Sequence, residues 1–247
     1  MLYMKKNTEE VTTRSENGAC FIKFYNSKAN ALTSHIINQL QKEITLAEAD
    51  SSISSIILCS AGEKAFCAGA DINELKSLTT EKELEDYFYD LSLLLLQITK
   101  VEKPVIARVQ GKIVGGALGI VAACDYSIAR ADASAKLSEL SIGIGPLVIE
   151  PFLSKKISQK FVQSMTYDAK WRTADWCQQV GLYDQIAQDI KELDSLIKEQ
   201  CNLFQAVPLK SFNSMKKIFS KNSDDLKTLL KERSSINAKL ALQYLVS

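Results

Sequence analysis

Two apolar rhythms alternate along this chain. Short, nearly continuous apolar runs at residues 19–25, 52–60, 103–111 and 126–130 read as buried strands. Between and after them, apolar residues recur every three or four positions, which is the period of a helix with one buried face. The first such stretch places Ile36, Ile37, Leu40 and Ile44 on one side, with Thr33 positioned to cap its start. The second covers residues 81–99, where "LSLLLLQI" is mostly core. Beyond Pro151 the pattern is almost entirely helical, over residues 152–167, 173–180, 189–204, 209–219 and 223–245, with Gly181 as a helix stop. The pattern predicts an α/β fold divided near Pro151, with mixed structure in residues 1–150 and a helical region in 151–247.

Two of the strand-like runs end in turns of small residues that lead straight into helices. Residues 110–125 read "QGKIVGGALGIVAACD", and three of the ten glycines, Gly115, Gly116 and Gly119, fall within five positions there. A helix start presents unpaired N–H groups and the positive end of the macrodipole, and glycine lets another group approach it closely. Such a turn suits a phosphate, a carbonyl oxygen that gains charge, or simply tight packing. Neither G-x-G-x-x-G nor G-x-x-x-x-G-K-[ST] is present, so the common nucleotide cradles are excluded. The other corner, "KAFCAGADINEL" at residues 64–75, follows the run 52–60 with Cys67, Ala68, Gly69 and Ala70. Asp71 is placed to cap a helix that starts near Ile72, with Glu74 in its first turn. An oxyanion hole needs donors from two directions, about 3 Å from the developing charge. Two such corners could supply one each.

In order along the chain, "AFCAGADINEL", "KPVIARVQGKIVGGALGIVAACDYSIAR" and "AKLSELSIGIGP" resemble the enoyl-CoA hydratase/isomerase (crotonase) family. The resemblance runs from "NSKANAL" at 26–32 to "TADWCQQVGLYDQI" at 173–186. It implies a spiral of β-β-α units followed by a helical C-terminal region used for trimerisation, and hence a homotrimer or a dimer of trimers. It also implies an acyl-CoA thioester substrate whose carbonyl is polarised by two backbone N–H groups, here those of Ala68 and Gly116. Ala70, Asp71 and Ile72 at the first corner, and Gly115 and Gly119 at the second, are then expected to border the substrate. By the same resemblance Lys28 is a candidate for a CoA phosphate, and Ala29 and Ala65 for backbone contacts to the adenine. Lys216 and Lys217, in the basic stretch 210–221, are further phosphate candidates, with a solvated helix face as the default.

The family's hydratases typically carry two glutamates. This chain has Gly119 at the first of those positions and Glu139 at the second. Leu137, Leu140 and Ile142 give Glu139 an apolar setting, which raises a carboxyl pKa and suits acid–base work. The leading reading is hydration of an α,β-unsaturated acyl-CoA, with 3-methylglutaconyl-CoA a candidate because similar family members also have glycine at the first position. The alternatives are a Δ3–Δ2 enoyl-CoA isomerase with Glu139 as its single base, and a non-catalytic acyl-CoA-binding protein. Glu150, in "GPLVIEPFL", is either a substitute second carboxylate or a favourable charge at a helix start, and the structural role is preferred.

Composition narrows the rest. A net charge of +1 gives no electrostatic footprint for nucleic acid. No apolar run approaches a membrane span, and "MLYMKKNTEE" lacks the apolar region of a secretory signal. The six cysteines are scattered without C-x-x-C pairs, which reads as buried thiols of a cytoplasmic protein and neither a metal site nor a disulfide frame. Cys67 is expected to serve packing, and the single histidine, His35, to be a surface or capping residue. No metal or redox cofactor is expected, since backbone donors hold the enolate; coenzyme A is part of the substrate.

Overall fold

The chain repeats a three-part step, in which a longer strand, a short strand and a helix follow one another. A computed structural model describes residues 9–220 and 223–246, so the amino-terminal stretch 1–8 read above for a secretory signal lies outside the described residues, as does Lys221. The elements of the first half are β1 (Glu9–Glu16), β2 (Ala19–Asn26), α1 (Ser34–Ala49), β3 (Ser55–Ser60), β4 (Ala65–Cys67), α2 (Ile72–Ser77), α3 (Glu81–Lys100), β5 (Val105–Val109), β6 (Lys112–Val114), α4 (Gly116–Ala123), β7 (Tyr126–Arg130) and β8 (Ser134–Lys136). A 3₁₀ turn at Glu139–Ile142 leads to α5 (Glu150–Ile157), α6 (Gln159–Asp168), β9 (Arg172–Thr173), α7 (Ala174–Gln179), β10 (Gln185–Ala187), α8 (Ile190–Ala206), α9 (Leu209–Phe219) and α10 (Ser223–Ala241), which ends in a π-helical turn at Leu242–Val246.

The longer strands build a six-stranded sheet in the order β1-β2-β3-β5-β7-β10, and the short ones a four-stranded sheet in the order β4-β6-β8-β9. From β2 to β10 the larger sheet is parallel. This is the expected β-β-α spiral. A parallel strand covered on both faces has no polar side, which is why all six residues of β3 are buried and read as a continuous apolar run. The short strands β4, β6 and β8 have three residues each, too few to show any alternation. Strand β1 is largely exposed and polar, held by its antiparallel pairing with β2.

The capping residues act as their positions suggest. Thr33 accepts from the Ile36 N–H, and Asp71 accepts from those of Asn73 and Glu74. Gly181, at φ 89°, follows α7. Two expectations need correction. The helix read across 152–167 is two helices, because Ser158 turns the chain at φ 68°. The region after residue 150 is not purely helical: β9 joins the smaller sheet, and β10 pairs with β7 at the edge of the larger one. Both strands have no more than three residues, so their apolar signal is lost among the helices. Helix α10 packs along α3, with Ser92 and Ser234 facing each other at the contact. All six cysteines are buried free thiols.

Candidate active site

The two glycine corners meet. At the first, the Leu32 N–H donates to the Gly69 carbonyl at 2.7 Å and the Asp71 N–H donates to the Leu32 carbonyl at 3.0 Å. This parallel bridge pairs Leu32 with Ala70 through the neighbours of Ala70. The N–H of Ala70 itself therefore points away from Leu32 and has no backbone partner among the described residues. The donor expected from Ala68 is occupied, because its N–H donates to the Ala29 carbonyl at 3.1 Å. The open donor of this corner is Ala70. At the second corner Gly115 holds φ 52° and ψ −122°, a conformation suited to glycine. Gly116 begins α4, so its N–H has no partner within the helix. A Cβ on Gly69 would lie 2.7 Å from the Val114 oxygen and 3.5 Å from the Gly116 nitrogen, so the bare backbone at Gly69 lets the corners close.

Glu139 opens the 3₁₀ turn that follows β8. Its carboxylate lies against Gly115, where a Cβ would stand 2.8 Å from Oε1. Oε2 is buried with no hydrogen-bond partner. Burial pushes the carboxyl up to about 7, against hydrogen bonds from the backbone of Glu139 and Ser138 that favour the charged form. A cavity of about 130 Å³ brings together Ala70, Gly116 and Glu139, with Phe88, Leu91 and Ile149 among its apolar walls. Ligand pockets for larger molecules run to roughly 300–1,000 Å³, so this one suits a short chain.

The other expected residues divide. Ile72, Gly115 and Ala68 border the cavity. Gly119 does not: a Cβ there would meet Ile149 Cγ2 at 2.7 Å and Leu95 Cδ1 at 3.0 Å, so two apolar side chains fill the space beside it. Asp71 caps α2 and pairs with Lys28, whose Nζ lies 2.9 Å away. Burial opposes the Asp71 charge, but the Lys28 ammonium and the Asn73 and Glu74 N–H groups outweigh it and hold the carboxyl below its usual range. The Ala65 carbonyl already accepts from Asn30 Nδ2 and Gln110 Nε2, which fills both of its lone pairs. The Ala29 carbonyl takes the Ala68 N–H. Lys216 is buried, 2.6 Å from Asp125, and so is not a free phosphate ligand; Lys217 is exposed and pairs with Glu102. Glu150 is held by Arg233 at 2.6 Å and by the Ser154 hydroxyl, which makes it a structural charge and not a second carboxylate of the cavity. Cys67 is a packed thiol whose pKa burial pushes up to about 12. His35 lies exposed on α1.

Ile149 and Asn237 are among the cavity residues that the sequence reading did not single out. Ile149 carried only the general signal of a bulky apolar turn. Asn237 sits in a long helical stretch with nothing to mark it, yet α10 delivers it to the cavity wall.

The profile of the family described as enoyl-CoA hydratase/isomerase matches residues 14–244. The chain is 32% identical over 176 residues to a short-chain-enoyl-CoA hydratase of Clostridium acetobutylicum, a match covering 70% of this chain and 66% of that enzyme. It is also 32% identical over 134 residues to the human peroxisomal bifunctional enzyme, a match covering 54% of this chain and 18% of that much longer protein. Among solved structures, an enoyl-CoA hydratase from Bacillus halodurans superposes with a TM-score of 0.89 at 23% identity, covering 96% of each chain, and so shares the fold. With its spiral of β-β-α units and a profile match across nearly its whole length, the chain belongs to the enoyl-CoA hydratase/isomerase family.

Proposed function

We propose that this chain acts on a short enoyl-CoA thioester. The Ala70 and Gly116 N–H groups polarise the thioester carbonyl and hold the enolate oxygen, and Glu139 moves the proton. One observation carries this reading: a buried carboxylate oxygen without a partner shares a small apolar cavity with two open backbone donors. A carboxyl with a pKa of about 7 gives up and regains a proton near neutral pH. In hydration, Glu139 takes a proton from water as the water oxygen bonds to the β carbon, and then returns that proton to the α carbon of the enolate. The name of the Clostridium relative supports this class of reaction for this chain.

A second reading is favoured by Ile149 and Leu95, which fill the space beside Gly119. With a single carboxylate and apolar walls, Glu139 would remove the α proton of a β,γ-unsaturated thioester and return it to the γ carbon, shifting the double bond without water. Either route is redox-neutral, and coenzyme A enters as part of the substrate. Mass spectrometry of crotonyl-CoA and vinylacetyl-CoA after incubation tests both: hydration adds one water, isomerisation leaves the mass unchanged, and neither change over the background of Glu139→Gln removes the reading. A homotrimer or dimer of trimers is part of the same proposal. It is supported by exposed Leu203, Val207, Leu209, Met215, Ile218 and Phe219 near the α8–α9 junction and along α9, and light scattering would measure it.

A further inference from the structure

Asn237 is 1% exposed, lies on α10 and lines the cavity that holds Glu139. Its Oδ1 accepts from the Gly145 N–H at 3.3 Å. A backbone N–H is only a donor, so this contact fixes the amide with its oxygen toward Gly145. The NH₂ group is then the donor end of the amide. An amide donor at a largely apolar wall offers a ligand oxygen a hydrogen bond.

The rest of the wall sets the charge of that atom. Among the described residues no lysine or arginine lines the cavity, and Glu139 is its only ionisable side chain. Arg233, one turn before Asn237 on α10, is engaged with Glu150 and the Leu147 carbonyl. A substrate with an anionic tail would face Glu139 with no counter-charge. A tail carrying an uncharged oxygen would accept from Asn237 Nδ2 with no such penalty. The small volume limits the chain length.

We infer that Asn237 is a specificity-determining residue, and that the acyl group is short and ends in an uncharged oxygen, a hydroxyl or a carbonyl. The inference rests on the thioester reading above. It argues against 3-methylglutaconyl-CoA, whose distal carboxylate is charged.

Calorimetric titration of three freshly prepared saturated thioesters, butyryl-CoA, 4-hydroxybutyryl-CoA and succinyl-CoA, tests it without requiring turnover. The expected order is 4-hydroxybutyryl-CoA tightest, by about five- to tenfold over butyryl-CoA, and succinyl-CoA weakest. Asn237→Asp keeps an oxygen for the Gly145 N–H but removes the donor, so the ratio of the hydroxylated to the plain ligand should fall to about one. Equal affinity of butyryl- and 4-hydroxybutyryl-CoA for the wild-type protein would overturn the inference, and that pair decides the matter even where the variant does not fold. A preference that survives in Asn237→Asp would also overturn it, leaving Asn237 as a tie between α10 and the Gly145 segment. Failure of all three thioesters to bind would overturn the thioester reading, and the inference with it. Binding without the preference would remove the inference alone.

Discussion

Gly115 and Gly119 stand about one helical turn apart, and each leaves room for a different neighbour. A Cβ at Gly115 would meet the carboxylate of Glu139, and a Cβ at Gly119 would meet the side chains of Ile149 and Leu95. The same small residue thus makes space for a carboxylate at one position and for an apolar wall at the next. In a helix whose other residues are nearly all buried and apolar, the absent side chains decide what the helix faces. In the proposed function, the chemistry belongs where the missing Cβ is replaced by a carboxylate, and the apolar wall where it is replaced by branched aliphatic chains.

The largest test of this contrast is at Glu139. Glu139→Gln should lower kcat/KM by about 10²–10⁴-fold with little change in thioester affinity. The wild-type kcat/KM should rise with pH through about 7, as the carboxyl loses its proton and becomes a base. A flat profile would separate Glu139 from the proton transfer. Gly115→Ala comes next. It combines a strained positive φ with a contact to Glu139, and a displaced carboxylate should lower kcat/KM by about 100-fold.

At Gly119 the expected loss is of stability. Gly119→Ala overpacks the contact with Ile149, at a cost of about 1–3 kcal/mol in denaturant unfolding. Combined with Ile149→Ala, the loss should be smaller than the sum of the two single losses, by about 1 kcal/mol. Additive losses would show that the two residues do not share the space. The smallest effect separates the two positions by pH. The Glu139 carboxyl is raised in the folded state, from 4.5 to about 7. Between those values the folded protein holds more proton than the unfolded one, so its stability falls as pH rises. Glu139→Gln should remove that slope. Gly119→Ala should leave that slope in place.

The contrast was only half legible in the sequence. Glu139 stood out by its motif and its apolar neighbours, and the long buried strands and capped helices stood out by period. The partner of Gly119 did not, because Ile149 is thirty positions away and only the fold brings it there. The donor at the first corner was misplaced for a similar reason. Ala68 and Ala70 are both small residues beside Gly69, and nothing local tells which N–H is occupied. The bridge to Leu32 and the contact with Ala29 decide it, and both come from the segment before α1. Asn237 was invisible because a single amide in a long helical run has no pattern, and its meaning comes from the α3–α10 packing.

The distance along the chain between the first and last walls of the cavity has a consequence for synthesis. Ala68 and Gly116 emerge from the ribosome early, and β10, at Gln185–Ala187, must follow before the larger sheet has its last strand. Asn237 follows only with α10. Without α10 the cavity would lack its Asn237 side. Long-range pairings of this kind fold slowly, because loop closure comes before the contacts that reward it. The cavity wall that holds Asn237 is therefore complete only once α10 has docked.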